Sequence, residues 1–358
     1  MQRITALKEI AFQRHSFDGF AVFNWANLLY FSGFPGASAL LVPRDGECTI
    51  YVYGVNYEQA KTEGKSFSVE LVRRDENFMA KIAEKAVDCG VKRLAVDALG
   101  VESRRSLARA TRGRVKLTFK GGLVAELRKI KDPAEIELMK KAAELTNLGM
   151  KTAYEVLSPG MREFEVAAEI EYAMRKRGSG GTAFDTAVSS GSRSAFPHGG
   201  CTDREIREGD LVVVDFGAVY KDYRCDMTRT LVAGKPMEKQ KRIYGVVKRA
   251  QEAAFDAAKA GVKARDVDGT ARRIIEDAGF GEFFVHGLGH GVGLEVHEPP
   301  VLNAVSKDTL AVGNVVTVEP GVYLPGFGGV RIEDTVLVGK DGAEKLTKAP
   351  YSLALNDV

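Results

Sequence analysis

The second half of the chain contains two similar copies of one pattern, and this repeat strongly constrains the fold. PGMREFEVAAEIEYAMRKRG (159–178) matches AGVKARDVDGTARRIIEDAG (260–279), with three identical positions spaced 101 residues apart. Further on, GDLVVVDFG (209–217) matches GNVVTVEPG (313–321) at a spacing of 104 residues. Because both matches occur in the same order, duplication of a helix-and-strand unit explains them better than chance agreement does.

Each copy carries two acids near a predicted hairpin. Asp215 and Glu319 occupy the same place in the two copies, and Asp226 and Glu333 follow them. A two-residue turn at 220–221 predicts that Asp215 lies directly opposite Asp226. The midpoint of the second pair falls in PGFGG (325–329), so we expect Glu319 and Glu333 to face each other as well.

Four acids in such apolar strands need a source of positive charge. Buried carboxylates in contact repel, so one must be protonated or all must be neutralised. An aspartic-protease-like pair would explain one hairpin but not the second, and acids exposed at hairpin ends would explain any single one. Divalent metal explains all four. Bridging carboxylates would hold two ions about 3.5–4 Å apart, a spacing suited to hydrolysis.

The histidines are concentrated in one part of the sequence. The chain has five, and three lie in VHGLGHGVGLEVHE (285–298): His286, His290 and His297. The segment is not HExxH, so a single-zinc helical site is unsupported. If it is extended, His286, Leu288 and His290 share one side. His198, in AFPHG (195–199), is predicted in a turn. Carboxylates with imidazole suit Mn²⁺, Co²⁺, Fe²⁺ or Zn²⁺.

The first part of the chain reads as a small α/β unit. Four segments are predicted as strands (19–23, 39–42, 49–53 and 93–97) and two as helices (57–63 and 77–88). The sequence DPAE (132–135) has the capping residues of a helix start. We therefore predict two domains, 1–121 and 122–358.

Charge and composition argue against other classes of protein. With 51 Lys and Arg against 48 Asp and Glu, the net charge is +3, which gives little support to a nucleic-acid binder. No run reaches about 18 apolar residues, so we expect no membrane span. The start lacks a signal-peptide pattern, and the four cysteines form no CxxC pair, so a cytoplasmic protein with reduced thiols is expected.

Taken together, these motifs resemble the metallopeptidases of the pita-bread fold, which include methionine aminopeptidase, aminopeptidase P, prolidase and creatinase. The resemblance rests on Asp215, Asp226, His290, Glu319 in TVEPG and Glu333 in GVRIEDT. It covers 122–358 and implies an α+β catalytic domain with a pseudo-two-fold internal repeat. The preceding α/β domain resembles the creatinase-type N-terminal domain. AFPHG, the histidine segment and the short length are most similar to the Xaa-Pro dipeptidase (prolidase) branch.

The resemblance implies a role for each of these residues. Two divalent ions (Mn, Co or Zn) would be held by five ligands: Asp215, Asp226, His290, Glu319 and Glu333. Asp215 would chelate one ion, Asp226 and Glu333 would bridge the two, and His290 and Glu319 would complete the second. A metal-bridging hydroxide would hydrolyse the Xaa-Pro dipeptide, with Glu319 carrying the proton to the leaving proline nitrogen.

The resemblance also implies the surroundings of the metals. His198 and His297 would contact the substrate and stabilise the tetrahedral intermediate, with His286 beside them. Arg331 would orient Glu333 or Asp226, and Tyr323 would lie near the metals.

Two alternatives stay open on the sequence. One is aminopeptidase P, which releases the first residue from longer Xaa-Pro peptides, and the other is a non-catalytic peptide-binding protein of the same fold. Members of this branch are commonly dimeric. We therefore expect a homodimer in which the N-terminal domain restricts the substrate to dipeptides, with Trp25 or Tyr30 of a partner subunit as candidates.

Overall fold

The computed structural model describes residues 2–64 and 66–355. By its internal contacts the chain divides into two compact units, Met1–Arg128 and Lys129–Val358.

The N-terminal unit is built on one six-stranded mixed sheet of strand order β4-β3-β2-β1-β5-β6. Its strands are β1 Gly19–Val22, β2 Ala39–Pro43, β3 Thr49–Tyr53, β4 Ser68–Val72, β5 Arg93–Val96 and β6 Lys116–Phe119. Its helices are α1 Gln2–Lys8, continued by a π-helical turn Glu9–Arg14, α2 Trp25–Ser32, α3 Gly54–Glu63, α4 Phe78–Asp88 and α5 Val101–Ala110. A further helix, α6 Gly121–Lys129, leads into the second unit.

All four predicted strands and both predicted helices of this unit are present, but other elements were missed. Among them are strand β4, which lies at one edge of the sheet and pairs with β3, and helix α5. Tyr30 packs inside this unit, with the Arg3 guanidinium 4.2 Å from its ring centre, and is only 7% exposed. Trp25, at the start of α2, is 41% exposed. Of these two aromatic residues, only Trp25 presents a large surface.

The second unit contains four long helices around several small sheets. The helices are α7 Pro133–Val156, α8 Glu163–Lys176, α9 Glu238–Ala257 and α10 Ala264–Asp277. The strands of its first half are β7 Gly181–Thr182, β8 Ala187–Ser190, β9 Leu211–Phe216, β10 Ala218–Tyr220, β11 Tyr223–Arg224 and β12 Met227–Val232. Those of its second half are β13 Gly289–Gly291, β14 Glu298–Leu302, β15 Val315–Val318, β16 Gly321–Leu324, β17 Gly328–Arg331, β18 Asp334–Val338 and β19 Ala343–Lys345. The sheets have the orders β11-β10-β7, β12-β9-β8, β14-β13-β15-β18-β19 and β16-β17.

Helix α7 begins where the sequence predicts. The Asp132 side chain accepts from the backbone N–H of Glu135, and the Glu135 carboxylate accepts from the N–H of Asp132, both at 2.9 Å. Pro133 occupies the first helical position, where a missing N–H costs nothing.

The repeat is visible in the backbone hydrogen bonds that enter α8 and α10. Gly160 N donates to Ile206 O at 2.9 Å in the first copy, and Gly261 N donates to Leu310 O at 2.8 Å in the second. Both glycines have positive φ, 96° and 87°. The two donors are 101 residues apart and the two acceptors are 104 residues apart, which are the spacings of the two sequence matches. The two halves of the unit share one folding pattern.

The first hairpin differs from the prediction by one residue. Tyr220 pairs with Tyr223, so the turn is Lys221-Asp222 and not 220–221. Both turn residues have positive φ, 46° and 71°. A type I′ turn requires this at both central positions, and Asp tolerates it better than an aromatic residue does. Asp215 consequently lies opposite Thr228, so the predicted direct opposition to Asp226 is wrong.

The second hairpin has the predicted register. Val318 pairs with Asp334, and Gly321 pairs with Arg331. Glu319 and Glu333 lie between these pairs in the same register and so face each other. Gly326, in the turn, has φ 76°, where a glycine is favoured.

Candidate metal centre and active site

A cavity of about 810 Å³ lies in the second unit and gathers the residues singled out in the sequence. Its lining includes His198, Asp215, Asp226, His286, His290, His297, Glu319, Arg331 and Glu333. These residues come from segments that span 198–333 of the chain. Only the packing of the two repeat copies against each other brings them to one place.

The centre of the cavity is a cluster of carboxylates around one imidazole. Asp226, His290 and Glu333 each offer a ligand atom, and these atoms lie within 4.8 Å of one another. The Nε2 atom of His290 also lies 3.2 Å from Oε1 of Glu319 and 3.8 Å from Oδ2 of Asp226. This is an arrangement that could hold a cation.

The orientation of His290 is fixed by its other nitrogen. Nδ1 lies 3.1 Å from the carbonyl oxygen of Gly291, which can only accept, so Nδ1 carries a proton. Nε2 is then the atom that can present a lone pair to a metal. The backbone N–H of His290 donates to Thr317 Oγ1 at 3.1 Å, and that hydroxyl donates to Glu319 Oε1 at 3.1 Å. Thr317 therefore holds the two residues together.

Burial and neighbouring charges shift the pKa values of the side chains in this cluster. Burial, and then the charge of Glu333, raise the pKa of Asp226 well above its ordinary value. Burial, and then the charge of Glu319, do the same to the pKa of Glu333. For Glu319, burial works to raise the pKa, but the hydrogen bond and charge of His290 lower it to about 2. For His290, burial lowers the pKa, but the Glu319 carboxylate raises it above the ordinary value.

The residues fit a bound cation. Within the described chain, Oδ1 of Asp215 and Oδ1 of Asp226 are buried without a hydrogen-bond partner. A buried carboxylate oxygen with no partner is costly unless a positive charge faces it. Oxygen-rich sites with imidazole are typical of Mn²⁺, Co²⁺ and Zn²⁺.

Arg331 does not make the contacts expected of it. Its guanidinium donates to Asp215 Oδ2, and not to Glu333 or Asp226. It reaches Glu333 only through Thr228: Arg331 Nε donates to Thr228 Oγ1 at 3.0 Å, and that hydroxyl donates to Glu333 Oε2 at 2.6 Å. Thr228 was missed in the sequence, because the assumed register placed Asp226 opposite Asp215.

Tyr323 and His286 extend this network. Arg331 Nη1 donates to the Tyr323 hydroxyl at 2.8 Å, and that hydroxyl lies 2.9 Å from His286 Nε2. His286 Nδ1 is 2.7 Å from the carbonyl of Gly287. Nδ1 therefore carries the proton, and Nε2 accepts from Tyr323. Burial lowers the pKa of His286 although the charge of Glu319 acts to raise it, in keeping with a neutral ring that supports Tyr323.

The other two histidines lie on different loops at the cavity wall. The His297 ring is 4.2 Å from the His290 ring between centroids. Burial, and then the charge of His290, lower the pKa of His297. His198 follows a 3-10 turn, Gly191–Ala195, and is exposed. Leu288, which an extended segment would place on the side of His286 and His290, is fully buried in the apolar core and does not line the cavity.

A buried ion pair supports the wall behind His297. Lys131 Nζ lies 2.8 Å from Glu298 Oε1, and both side chains are almost completely buried. The sequence did not predict this pair because the partners are 167 residues apart.

No helix within the described residues is long and apolar enough to cross a membrane.

Comparison with known families gives matches over nearly the whole chain. The model of metallopeptidase family M24 matches residues 137–340. The model of the creatinase/prolidase N-terminal domain matches residues 3–130.

Individual proteins are similar to this chain over nearly their whole length. An Xaa-Pro dipeptidase of Pyrococcus furiosus is 41% identical over 95% of this chain and 96% of its own. Among solved structures, an Xaa-Pro dipeptidase from Bacillus anthracis is 36% identical with a TM-score of 0.94, covering 99% of both chains. An X-Pro aminopeptidase from Thermotoga maritima is 37% identical with a TM-score of 0.87, covering 96% of this chain and 99% of its own.

Proposed function

The chain belongs to metallopeptidase family M24, and from this membership we propose that it is a metal-dependent Xaa-Pro dipeptidase. The observation that carries the proposal is the convergence of Asp226, His290, Glu319 and Glu333 in one cavity with the unpartnered oxygen of Asp215. The substrate is a small peptide with proline in second place. A homodimeric assembly and a cytoplasmic location stay predictions from the sequence.

The metal ligands we propose are Asp215, Asp226, His290, Glu319 and Glu333. They offer carboxylate oxygens and one imidazole nitrogen, a set suited to two divalent ions such as Mn²⁺, Co²⁺ or Zn²⁺. When bound, such ions would polarise the peptide carbonyl and make a water molecule acidic enough to act as nucleophile near neutral pH.

The side chain of Glu319 moves the proton in this mechanism. Glu319 has a pKa of about 2 beside His290, so its carboxylate is ionised near neutral pH. It accepts the proton of the attacking water and delivers it to the proline nitrogen as the peptide bond breaks.

The wall histidines stabilise the charge that develops on the substrate. His198 and His297 line the cavity beside the carboxylate cluster. They donate hydrogen bonds to the substrate carbonyl oxygen, which becomes more negative in the transition state. Tyr323 and His286 hold Arg331, and Arg331 holds Asp215.

The test is turnover of a proline dipeptide with and without metal. We expect the chelated protein to be inactive on Ala-Pro and to regain activity with Mn²⁺ or Co²⁺, while Ala-Ala is cleaved poorly under both conditions. Binding of less than about one metal equivalent, with no activity restored, would instead favour a non-catalytic peptide-binding protein.

A specific observation favours aminopeptidase P as a second candidate. Among the described residues that line the cavity, Arg331 is the only Lys or Arg, and its guanidinium is already bonded to Asp215, Thr228 and Tyr323. A dipeptide brings a free carboxylate, which needs a positive partner when it is removed from water. A longer peptide continues as neutral amides, which suit an uncharged wall such as Val301.

The two candidates are separated by comparing kcat/KM on Ala-Pro, Ala-Pro-amide and Ala-Pro-Ala. A dipeptidase prefers the free dipeptide, whereas aminopeptidase P prefers the other two. Val301→Lys places a cation on the cavity wall and should raise kcat/KM about 10-fold for Ala-Pro only, if its carboxylate lies nearby. Val305→Lys is the control, since Val305 is exposed and does not line the cavity.

A further inference from the structure

One buried carboxylate lies outside the metal centre and is not used by the proposed mechanism. Glu163, the first residue of α8, is fully buried. Its Oε1 accepts from Ser190 N at 2.8 Å and Ser190 Oγ at 2.7 Å. Its Oε2 accepts from Thr202 N at 2.9 Å, Thr202 Oγ1 at 2.6 Å and Arg193 Nε at 3.4 Å. Hydrogen bonds to an ionised acceptor are roughly twice as strong as neutral ones, so this carboxylate is a strong anchor.

The groups bonded to Glu163 mark the two ends of one loop. Ser190 ends β8, and Thr202 follows eleven residues of loop, 191–201, which we call the His198 loop. One carboxylate therefore closes the loop at its base, with one oxygen on each end. A flexible loop closed in this way has fewer conformations available to it.

Arg193 links Glu163, at the base of the loop, to Gly199, the residue that follows His198. Its Nε donates to Glu163, and its Nη2 donates to the carbonyl oxygen of Gly199 at 2.6 Å. On the other side of His198, Pro197 O accepts from Arg331 Nη1 at 3.3 Å. Within the described residues the His198 ring makes no hydrogen bond of its own. Its position in the cavity depends on how the backbone of the loop is held.

We propose that Glu163 is a positioning residue, which sets the place of His198 in the cavity by fastening both ends of the His198 loop. The inference rests on the proposed function in one respect: His198 is taken as a substrate contact. Glu163 touches neither substrate nor metal and acts through the loop.

Glu163→Gln tests this, because the amide keeps the shape but replaces one acceptor oxygen with a donor that faces other donors. We expect kcat/KM on the proline substrate to fall about 10-fold or more, as a small misplacement of a substrate contact does. Mn²⁺ affinity should stay within about 2-fold of wild type. Glu169→Gln, an exposed change on the same helix, should leave both quantities unchanged.

The decisive measurement is a double-mutant cycle with His198→Ala. If Glu163 acts through His198, adding Glu163→Gln to the His198→Ala protein should cost less than about 2-fold. The same 10-fold loss in both backgrounds overturns the inference, as does a parallel loss of Mn²⁺ affinity. If Glu163→Gln does not fold, Thr202→Val removes one hydroxyl donor from one end of the loop and is tested by the same cycle.

A measurement without turnover keeps this inference separate from the proposed function. Amide hydrogen exchange in 191–201 should be faster in metal-free Glu163→Gln than in wild type and unchanged in Glu169→Gln. Unchanged exchange in the loop overturns the inference whatever the activity. A wild-type protein that cleaves no proline peptide refutes the proposed function alone.

Discussion

The Nε2 atom of His290 lies 3.2 Å from Oε1 of Glu319 at the centre of the cavity. His290 lies in strand β13 and Glu319 directly follows strand β15, and Thr317 bonds to both residues. The carboxylate raises the pKa of His290 against the effect of burial. This pair is therefore a preformed acid–base contact that a metal would convert into two ligands.

Removing either member should abolish turnover and leave the protein folded. For His290→Ala and Glu319→Ala we expect a loss of kcat of at least about 10³-fold, because the electrostatic stabilisation of the transition state is lost. Calorimetric titration with Mn²⁺ should show at least one weakened site, while circular dichroism is unchanged. His15→Ala is the matched control, since His15 is exposed in the other unit. Near-normal activity in either variant would refute the ligand assignment.

The metal-free protein should lose stability as pH rises, through Asp226. Burial and the charge of Glu333 raise its pKa in the folded state, so the folded protein binds more protons than the unfolded chain. The free energy of unfolding is then highest below the unfolded pKa and falls as pH rises toward the folded pKa.

The Asp226→Asn variant carries no titrating group at this position. Its free energy of unfolding should therefore fall less steeply than that of wild type as pH rises. Urea unfolding with a chelator at pH 5 and pH 8 measures both slopes. We expect the difference between variant and wild type to grow by on the order of 1 kcal/mol over this range. Saturating Mn²⁺ should remove the difference in slope. Parallel slopes in the metal-free proteins would contradict this account of Asp226.

Thr228→Val should weaken metal binding without changing a metal ligand. The hydroxyl of Thr228 joins Arg331 to Glu333, and loss of such supporting hydrogen bonds typically lowers metal affinity by about 10- to 100-fold. Thr230→Val is a close control, because Thr230 is also buried in β12 but its hydroxyl bonds to backbone atoms of Arg331. Both variants should lose some stability. Equal Mn²⁺ affinity in Thr228→Val and wild type would show that the hydroxyl does not support Glu333.

Gly217→Ala should destabilise the first hairpin. A Cβ atom at position 217 would lie 1.7 Å from the carbonyl oxygen of Cys225, so the backbone between Asp215 and Asp226 must move. We expect a loss of about 3 kcal/mol in the free energy of unfolding, together with weaker Mn²⁺ binding. Gly269→Ala has open space inside α10 and should gain about 0.5–1 kcal/mol. Thermal and urea unfolding of the two variants give the comparison, and a stable Gly217→Ala protein with wild-type metal affinity would be inconsistent with it.

The two hairpins show where pattern reasoning works and where it fails. In the second, the glycine-rich turn fixed the midpoint, and the predicted opposition of Glu319 and Glu333 follows from the observed register. In the first, the turn is Lys221-Asp222. Its position depends on which two residues adopt positive φ, and the hydrophobic pattern does not show this. Asp215 and Asp226 still reach one cavity, since a shift of two residues in pairing keeps a side chain on the same face.

Arg331 shows that closeness in the sequence does not identify the partner of a long side chain. Its position two residues from Glu333 suggested a bond to that residue, but its guanidinium donates to Asp215, 116 residues away. A long side chain reaches across strands, so its partner depends on how the two copies pack.

The sequence by itself determined the elements of this protein and the chemistry available to them. Its repeat spacing, capping residues and concentration of acids and histidines are local properties, and local properties decide where strands and helices begin and which groups they carry. The tertiary structure decided which groups meet. The buried pair of Lys131 and Glu298, the role of Thr228 and the fastening of the His198 loop by Glu163 all join distant parts of the chain. Such contacts follow from the packing of the whole core, because burial determines which polar groups must find partners and where they can find them.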